Sequence, residues 1–162
     1  MERKRYAIIV AGGSGTRMGG SLPKQFMLLG ERPILIHTIE KFFSLRRRPE
    51  LIIVVPQNLR EQWKAICKEY KFAVSHTLVS GGITRFHSVK NALKYIEPGC
   101  VVAIHDAVRP FADSDFIEGL YNEAEESGAV IPVIKVTDSL RIVEGEESKP
   151  VDRELYVAVQ TP

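Results

Sequence analysis

Three short runs, Tyr6–Ala11 (YAIIVA), Leu51–Val55 (LIIVV) and Cys100–His105 (CVVAIH), are apolar at almost every position instead of alternating with polar residues. A strand can carry apolar side chains on both sides only where both faces of its sheet are covered. That is the condition of a parallel sheet between layers of helix. The segments between the runs carry the other period. Leu35, Ile36, Ile39, Phe42 and Phe43 follow Pro33 at helical spacing, and Leu59, Trp63, Ile66, Cys67 and Tyr70 follow Pro56 in the same way. Thr84 is a candidate cap for a helix with Phe86, Val89, Leu93 and Ile96 on its apolar face. Ser114 and Asp115 open a segment carrying Ile117, Leu120, Tyr121 and Ala124.

A weaker strand is expected at Ala73–Val79. Ala129–Ile134 is strand-like, although Pro132 makes it irregular or an edge. Strands alternating with helices predict an α/β fold, a Rossmann-like, mainly parallel sheet flanked by helices. Beyond Ile134 the pattern changes. Val136–Val143 and Val151–Val159 are strand-like and lie on either side of the polar stretch Glu144–Pro150. They predict a projecting β-hairpin arm near the C-terminal end, over about residues 136–158, on a single domain spanning residues 1–162. A hydrophobic content of 44% in 162 residues supplies apolar surface for one core.

Charge and composition exclude several functions. Twenty-two basic against twenty acidic residues leave a net charge of +2, which gives no reason to expect nucleic acid as a partner. Phosphate binding must come from a local cluster. Cys67 and Cys100 lie far apart, outside any zinc or redox spacing, and are expected as buried apolar residues. No apolar run approaches the ~18 residues of a membrane span, and the charged start Met1–Arg5 leads into no signal sequence, so a cytoplasmic location is expected.

The first apolar run stops at Ala11-Gly12-Gly13-Ser14-Gly15-Thr16-Arg17-Met18-Gly19-Gly20. Five glycines directly after a buried strand bring backbone close to a ligand and present bare N–H groups to an anion. A Walker loop would need lysine after Gly20, where Ser21 stands. A dinucleotide fingerprint would need Gly or Ala where Met18 stands. Arg17 and Lys24 add two cations to the cluster of amides, and together they make a candidate triphosphate site.

The pattern AGGxGTRM followed by PKQF resembles the signature of sugar-phosphate and polyol-phosphate nucleotidyltransferases. Leu22-Pro23-Lys24-Gln25-Phe26 narrows the resemblance to the cytidylyltransferase branch, and the chain is similar to the 2-C-methyl-D-erythritol 4-phosphate cytidylyltransferase family of the non-mevalonate isoprenoid pathway. The resemblance implies that Ala11, Gly12, Gly13, Ser14, Gly15 and Thr16 bind CTP and that Arg17 and Lys24 are catalytic. Ser80–Ser88 (SGGITRFHS) resembles the family's base-recognition segment GGxxRxxSV, which assigns Gly81, Gly82, Arg85 and Ser88 to the nucleotide. Backbone groups there are expected to read the edge of cytosine, with Ser88 leaving room for it. His105–Phe111 resembles the HDAxRP motif. It implies that Asp106 and Ala107 lie beside the triphosphate, with Asp106 near a Mg²⁺ ion. Arg109 is expected to form an ion pair that organises this loop, and His105 is expected to be structural.

In the arm, Thr137–Arg141 and Pro150–Arg153 resemble the family's acceptor-phosphate segments. Ser139 stands where the family commonly has threonine. Arg153 matches an arginine that reaches from one subunit into its partner's site, which implies a catalytic role and a homodimer joined through the arm. Thr161, in Gln160-Thr161-Pro162, is implied near the acceptor phosphate. Members of the family continue beyond the position of Pro162 with a final core helix and a lysine in an NIKxT-type segment, so that part is expected to be absent from these residues. The implied reaction moves a cytidylyl group from CTP to a polyol phosphate. A ribitol-5-phosphate cytidylyltransferase and a silent nucleotide-binding module remain alternatives.

Overall fold

The protein is represented by a computed structural model that describes residues 2–12 and 22–160. In chain order its strands and helices are β1 (Arg5–Val10), β2 (Leu28–Leu29), β3 (Arg32–Pro33), α1 (Ile34–Phe43), β4 (Glu50–Val55), α2 (Arg60–Glu69), β5 (Thr77–Ser80), α3 (Arg85–Leu93), β6 (Val101–Asp106), α4 (Ser114–Ser127), β7 (Val133–Lys135), β8 (Leu140–Glu144), β9 (Glu147–Val151) and β10 (Val157–Val159). Single 3₁₀ turns sit at Lys24–Phe26, Gln57–Leu59 and Arg153–Leu155.

The central sheet has the order β5-β4-β1-β6 and is parallel throughout. Its strands are apolar on both sides because two cores need them. Ala7, Ile9, Leu51, Ile53 and Val55 face a core built with Leu35, Ile36, Ile39 and Phe42 of α1, Trp63 and Ile66 of α2, and Ile117 and Tyr121 of α4. The alternate residues Tyr6, Ile8, Val10, Ile52 and Val54 face a smaller core closed by Ala92 and Val89 of α3 and by Ile96. Period-two alternation thus feeds two apolar layers from one strand. Among the described residues no helix is long and apolar enough to cross a membrane.

Several local expectations change. Strand β5 is shorter than the run Ala73–Val79, because His76 takes the Val74 carbonyl through Nδ1 at 2.8 Å while its Nε2 accepts from the Trp63 indole at 3.0 Å. Phe43 is exposed beneath the Arg48 guanidinium, 4.4 Å from the ring centroid. Helix α3 is rotated from its expected phase. Ser88 and Ala92 face inward and Phe86 and Leu93 face solvent, so small residues let the helix lie close on the sheet. Cys67 and Cys100 are only partly buried, and burial pushes the Cys67 thiol up to about 11.

The arm also differs in detail. The polar stretch Glu144–Pro150 is mostly strand: β8 and β9 pair antiparallel from Leu140↔Val151 to Glu144↔Glu147, turning at Gly145 with φ +63°. Val157–Val159 pairs instead with Val133–Lys135. Both hairpin faces are largely exposed, so no apolar alternation was required of β9.

A buried charge ties the beginning of β1 to α4. Arg5, 3% exposed, donates to Glu118 at 2.7 Å, Glu125 at 2.9 Å and Asn122 at 2.6 Å, and its guanidinium lies 4.8 Å from the centroid of the Tyr121 ring. Burial alone would raise the Glu118 carboxyl. The Arg47 backbone N–H and the Arg5 guanidinium outweigh it and hold the carboxyl below the ordinary 4.5. Removing one partner strands the other, so Arg5→Ala is expected to lose about 3–5 kcal/mol in urea unfolding at pH 7, and the matched replacement Arg5→Met with Glu118→Leu far less. The contribution of Glu118 is present above its unfolded value and drains as pH falls through the lower folded value, so the gap between the native chain and Glu118→Gln should close below pH 4.5. A loss for Arg5→Ala within about 0.5 kcal/mol would contradict this reading of the cluster.

Candidate active site

The order of strands decides where a ligand can sit. β4 and β5 build outward on one side of β1, and β6 lies on the other. Loops leaving β1 and β6 therefore diverge and open a crevice at the carboxyl ends of the strands, where open α/β sheets bind their ligands. The register sets Val10 beside both Val54 and Asp106. The start of the glycine-rich segment, the loop after β5 and Asp106 consequently emerge along one edge of the sheet.

Ala11 is buried, and its N–H donates to the Val54 carbonyl at 2.8 Å. Its own carbonyl accepts from Gln25 Nε2 at 2.9 Å. Gln25 belongs to the turn Lys24–Phe26, which is anchored by Phe26 stacked 6.1 Å from Trp63. Ala11, which opens the glycine-rich segment, is thus tied to Gln25 in the turn that follows it. Lys24 is exposed at the start of that turn and has no acidic partner among the described residues. Gly13, Ser14, Gly15, Thr16 and Arg17 lie outside the described residues, as does Thr161.

Opposite Gly12 stands the loop Gly81–Thr84. Thr84 caps α3, and its side chain accepts from the His87 N–H. The buried Ser88 hydroxyl accepts from the Gly82 N–H at 3.0 Å and donates to the Thr84 carbonyl at 3.0 Å. Gly82 is sterically required, and Gly81 is tightly placed. A Cβ on Gly82 would fall 2.4 Å from the His87 Cβ, and one on Gly81 would fall 3.2 Å from the Ser88 hydroxyl. Ser88 does more than leave room, because its hydroxyl holds the loop in shape. The Gly81 N–H is bonded to the Val55 carbonyl at 2.8 Å. The amides of Gly81 and Gly82 are therefore both engaged within the protein.

Asp106 ends β6 between two arginines. Oδ1 accepts from Arg85 Nε at 3.1 Å and Nη2 at 3.0 Å, and Oδ2 lies 3.5 Å from Arg109 Nε. Arg109 forms the expected ion pair. Ala107 is buried, with its N–H on the Val10 carbonyl at 3.0 Å and its carbonyl accepting from Thr38 Oγ1 at 2.7 Å. His105 lies edge-on to Phe42 at 5.0 Å and bonds through Nε2 to the Arg109 carbonyl at 2.9 Å. Burial lowers its pKa, so the ring is a neutral structural group that shapes the Asp106 loop.

The structure thus gathers Ala11, Gly12, Gly81, Gly82, Arg85, Ser88, Asp106 and Ala107. It does not bring the arm residues to them within one chain. Arg153 donates to the Thr137 carbonyl at 2.7 Å and lies 3.8 Å from Glu154, and Ser139 is exposed on the same arm. A cavity of about 680 Å³ opens between Gly12 and the loop Gly81–Ile83, floored by the turn Gln57–Leu59. A second, of about 410 Å³, runs along the outer side of β6 and, among the described residues, touches Arg85 alone of the expected site residues.

Sequence reasoning missed Gln25, Thr38 and the residues of the Gln57–Leu59 turn. Gln25 and Thr38 are buried polar residues bonded to the carbonyls of Ala11 and Ala107. A threonine inside the apolar stripe of α1 was the available signal. Gln57 carried none, since its partner Ser80 is distant in sequence and adjacent only through the pairing of β4 with β5.

Comparison with known proteins agrees with this geometry. The family model of 2-C-methyl-D-erythritol 4-phosphate cytidylyltransferase matches residues 6–162. The chain is 46% identical to the enzyme of that name from Phocaeicola vulgatus, over 98% of this chain and 72% of the relative. It is 45% identical to the one from Porphyromonas gingivalis, over 100% and 72%. Among solved structures it resembles the 4-diphosphocytidyl-2C-methyl-D-erythritol synthase of Anaerococcus prevotii, with a TM-score of 0.81 and 28% identity, covering 99% of this chain and 68% of that one. The 2-C-methyl-D-erythritol 4-phosphate cytidylyltransferase of Thermus thermophilus gives 0.73 and 29%, over 100% and 69%. Matched from its first core strand onward and at such identity, the chain belongs to the 2-C-methyl-D-erythritol 4-phosphate cytidylyltransferase family.

Proposed function

We propose that this chain transfers a cytidylyl group from CTP to 2-C-methyl-D-erythritol 4-phosphate and releases pyrophosphate. The reading is carried by the convergence of Gly12, the Gly81–Gly82 loop and Asp106 on one edge of a parallel sheet, in a chain whose relatives are named for that activity. In this reaction an oxygen of the acceptor phosphate attacks the α-phosphorus of CTP in line, and the bond to the β-phosphate oxygen breaks. A phosphate monoester is already a nucleophile at neutral pH, so no general base is needed. The protein's task is positioning and the stabilisation of charge.

Arg17 and Lys24 take up charge on the α-phosphate and the leaving pyrophosphate in this reading. Lys24 suits the role because its turn is anchored while its ammonium has no acidic partner among the described residues. A magnesium ion prefers carboxylate, water and phosphate oxygens. Among the described residues no cluster of three or more His, Cys, Asp or Glu exists, and Asp106 is a single carboxylate between two arginines. Such a donor set fits an ion that arrives with the triphosphate and neutralises it, with Asp106 beside it, better than a resident metal. Ala11–Thr16, Gly81, Gly82, Arg85, Ser88 and Ala107 hold the nucleotide. Ser139, Arg153 and Thr161 hold the acceptor phosphate. The arm exposes Ile142, Val143, Leu155, Tyr156 and Val157, an apolar surface that suits pairing of two chains and would place Arg153 at the partner's site. The enzyme works in the cytoplasm.

Arg17→Ala and Lys24→Ala should each lower turnover about 10²–10³-fold in a pyrophosphate-release assay with CTP, Mg²⁺ and the acceptor, with the unfolding midpoint unchanged. Normal turnover in either variant removes that cation from the mechanism. The arm's role has its own test. Lys24→Ala and Arg153→Ala chains, each inactive alone, should regain about a quarter of native turnover when refolded together one to one. Half of the dimers are then mixed, and each carries one complete site. Absence of recovery would place Arg153 outside the partner's site.

A further inference from the structure

We infer that Gln57 selects the base: its carboxamide N–H donates to the ring nitrogen N3 of cytosine, and so favours cytosine over uracil. The inference rests on the CTP-dependent reading above and adds a residue to it.

The cavity beside Gly12 has a chemical character of its own. Gln57, Asn58 and Gln62 line it together with glycines, prolines, Leu59 and Ile83, and among the described residues no charged side chain lines it. The described charged groups of the site, Lys24 and the Arg85–Asp106–Arg109 set, are not among them. A nucleotide has one anionic end and one neutral end. The neutral cavity therefore suits the base, with the phosphates toward the glycine-rich segment and Asp106.

The base end needs a donor. Cytosine presents two adjacent acceptors, O2 and N3, and uracil carries a hydrogen on N3, so a donor aimed at N3 separates them. Two of the backbone amides beside the cavity are occupied, Gly81 on Val55 and Gly82 on Ser88. Gln57 offers a replacement in a fixed orientation. Arg60 Nη1 donates to the Ser80 hydroxyl at 3.1 Å and to the Leu78 carbonyl at 3.2 Å. A hydroxyl has one proton to give, and Ser80, already accepting from Arg60, gives it to Gln57 Oε1. The amide oxygen is thereby taken, and the group left for the cavity is the NH₂. Ser80 also directly precedes Gly81, which keeps this amide at the wall facing Gly12.

Gln57 is exposed on a short turn, so substitution there leaves the core intact. The experiment measures kcat/KM for CTP and for UTP with 2-C-methyl-D-erythritol 4-phosphate, by pyrophosphate release, in the native protein and in Gln57→Leu, Gln57→Glu and Ser80→Ala. In Gln57→Leu the CTP:UTP ratio should fall about tenfold, through KM for CTP, with kcat on CTP within about twofold of native, the scale of one hydrogen bond. Gln57→Glu should move the ratio further toward UTP, since a carboxylate accepts from the uracil N3–H and cannot donate to cytosine. Ser80→Ala frees the amide to flip and should give a smaller fall in the same ratio. A native protein active on CTP whose ratio is unchanged in both Gln57 variants overturns the role of Gln57 and leaves the enzyme reading standing. A native protein that releases no pyrophosphate from CTP overturns the reading beneath it.

Discussion

Everything in this molecule hangs on the burial of β1. The strand is covered on both faces and paired in parallel on both edges, with β4 on one side and β6 on the other. A strand so placed has no freedom to slide, because a one-residue slip would exchange its two sets of core side chains. Its end is therefore a fixed point, and the register transmits that point to its neighbours. Val10 opposite Asp106 and Val54 is the statement in residues of why a carboxylate and two loops meet where they do.

The parts of the fold readable from sequence are those where one force dominates. The double-sided apolar runs of β1, β4 and β6 admit a single arrangement, and the glycines after Val10 have no purpose in a plain turn. Where two forces compete, the pattern misleads. Helix α3 was expected to bury Phe86 and Leu93, but close approach to the sheet is worth more there, and Ser88 with Ala92 allows it. In the hairpin neither face is covered within the chain, so polarity could not mark the limits of β9. The site divides in the same way. Asp106 and the loop glycines stand at strand ends and are legible as such. Gln25, Thr38 and Gln57 act through contacts between segments distant in sequence; only the threonine inside the apolar stripe of α1 and the motif around Gln25 mark two of them, and nothing local marks Gln57.

Those contacts tie the described loops of the site to the fold. Gln25 bonds the Ala11 carbonyl, Ser88 ties Gly82 to Thr84, and Thr38 pins the Ala107 carbonyl. Each occupies a backbone group that would otherwise have to be desolvated without a partner when a nucleotide closes over it. Preorganisation of this kind lowers the cost of ordering the loops on binding, and in the proposed reaction positioning is most of what the protein contributes.

The setting of Asp106 follows from the same economy of charge. A lone carboxylate at the mouth of a triphosphate site would repel the substrate at long range. Bracketed by Arg85 and Arg109, Asp106 belongs to a set whose net charge is positive, which attracts an anion. The carboxylate meanwhile holds two half-exposed guanidinium groups at the crevice, where unpaired they would wander in solvent. In the proposed function Arg85 and Arg109 would offer their guanidinium groups to phosphate oxygens, and Asp106 would be the carboxylate beside a divalent ion that arrives with the nucleotide and would neutralise its charge. An apolar or amide residue at position 106 would keep the sheet but lose that carboxylate. In that proposal the aspartate serves the chemistry, whereas its neighbour His105 is buried edge-on against Phe42, and burial lowers its pKa.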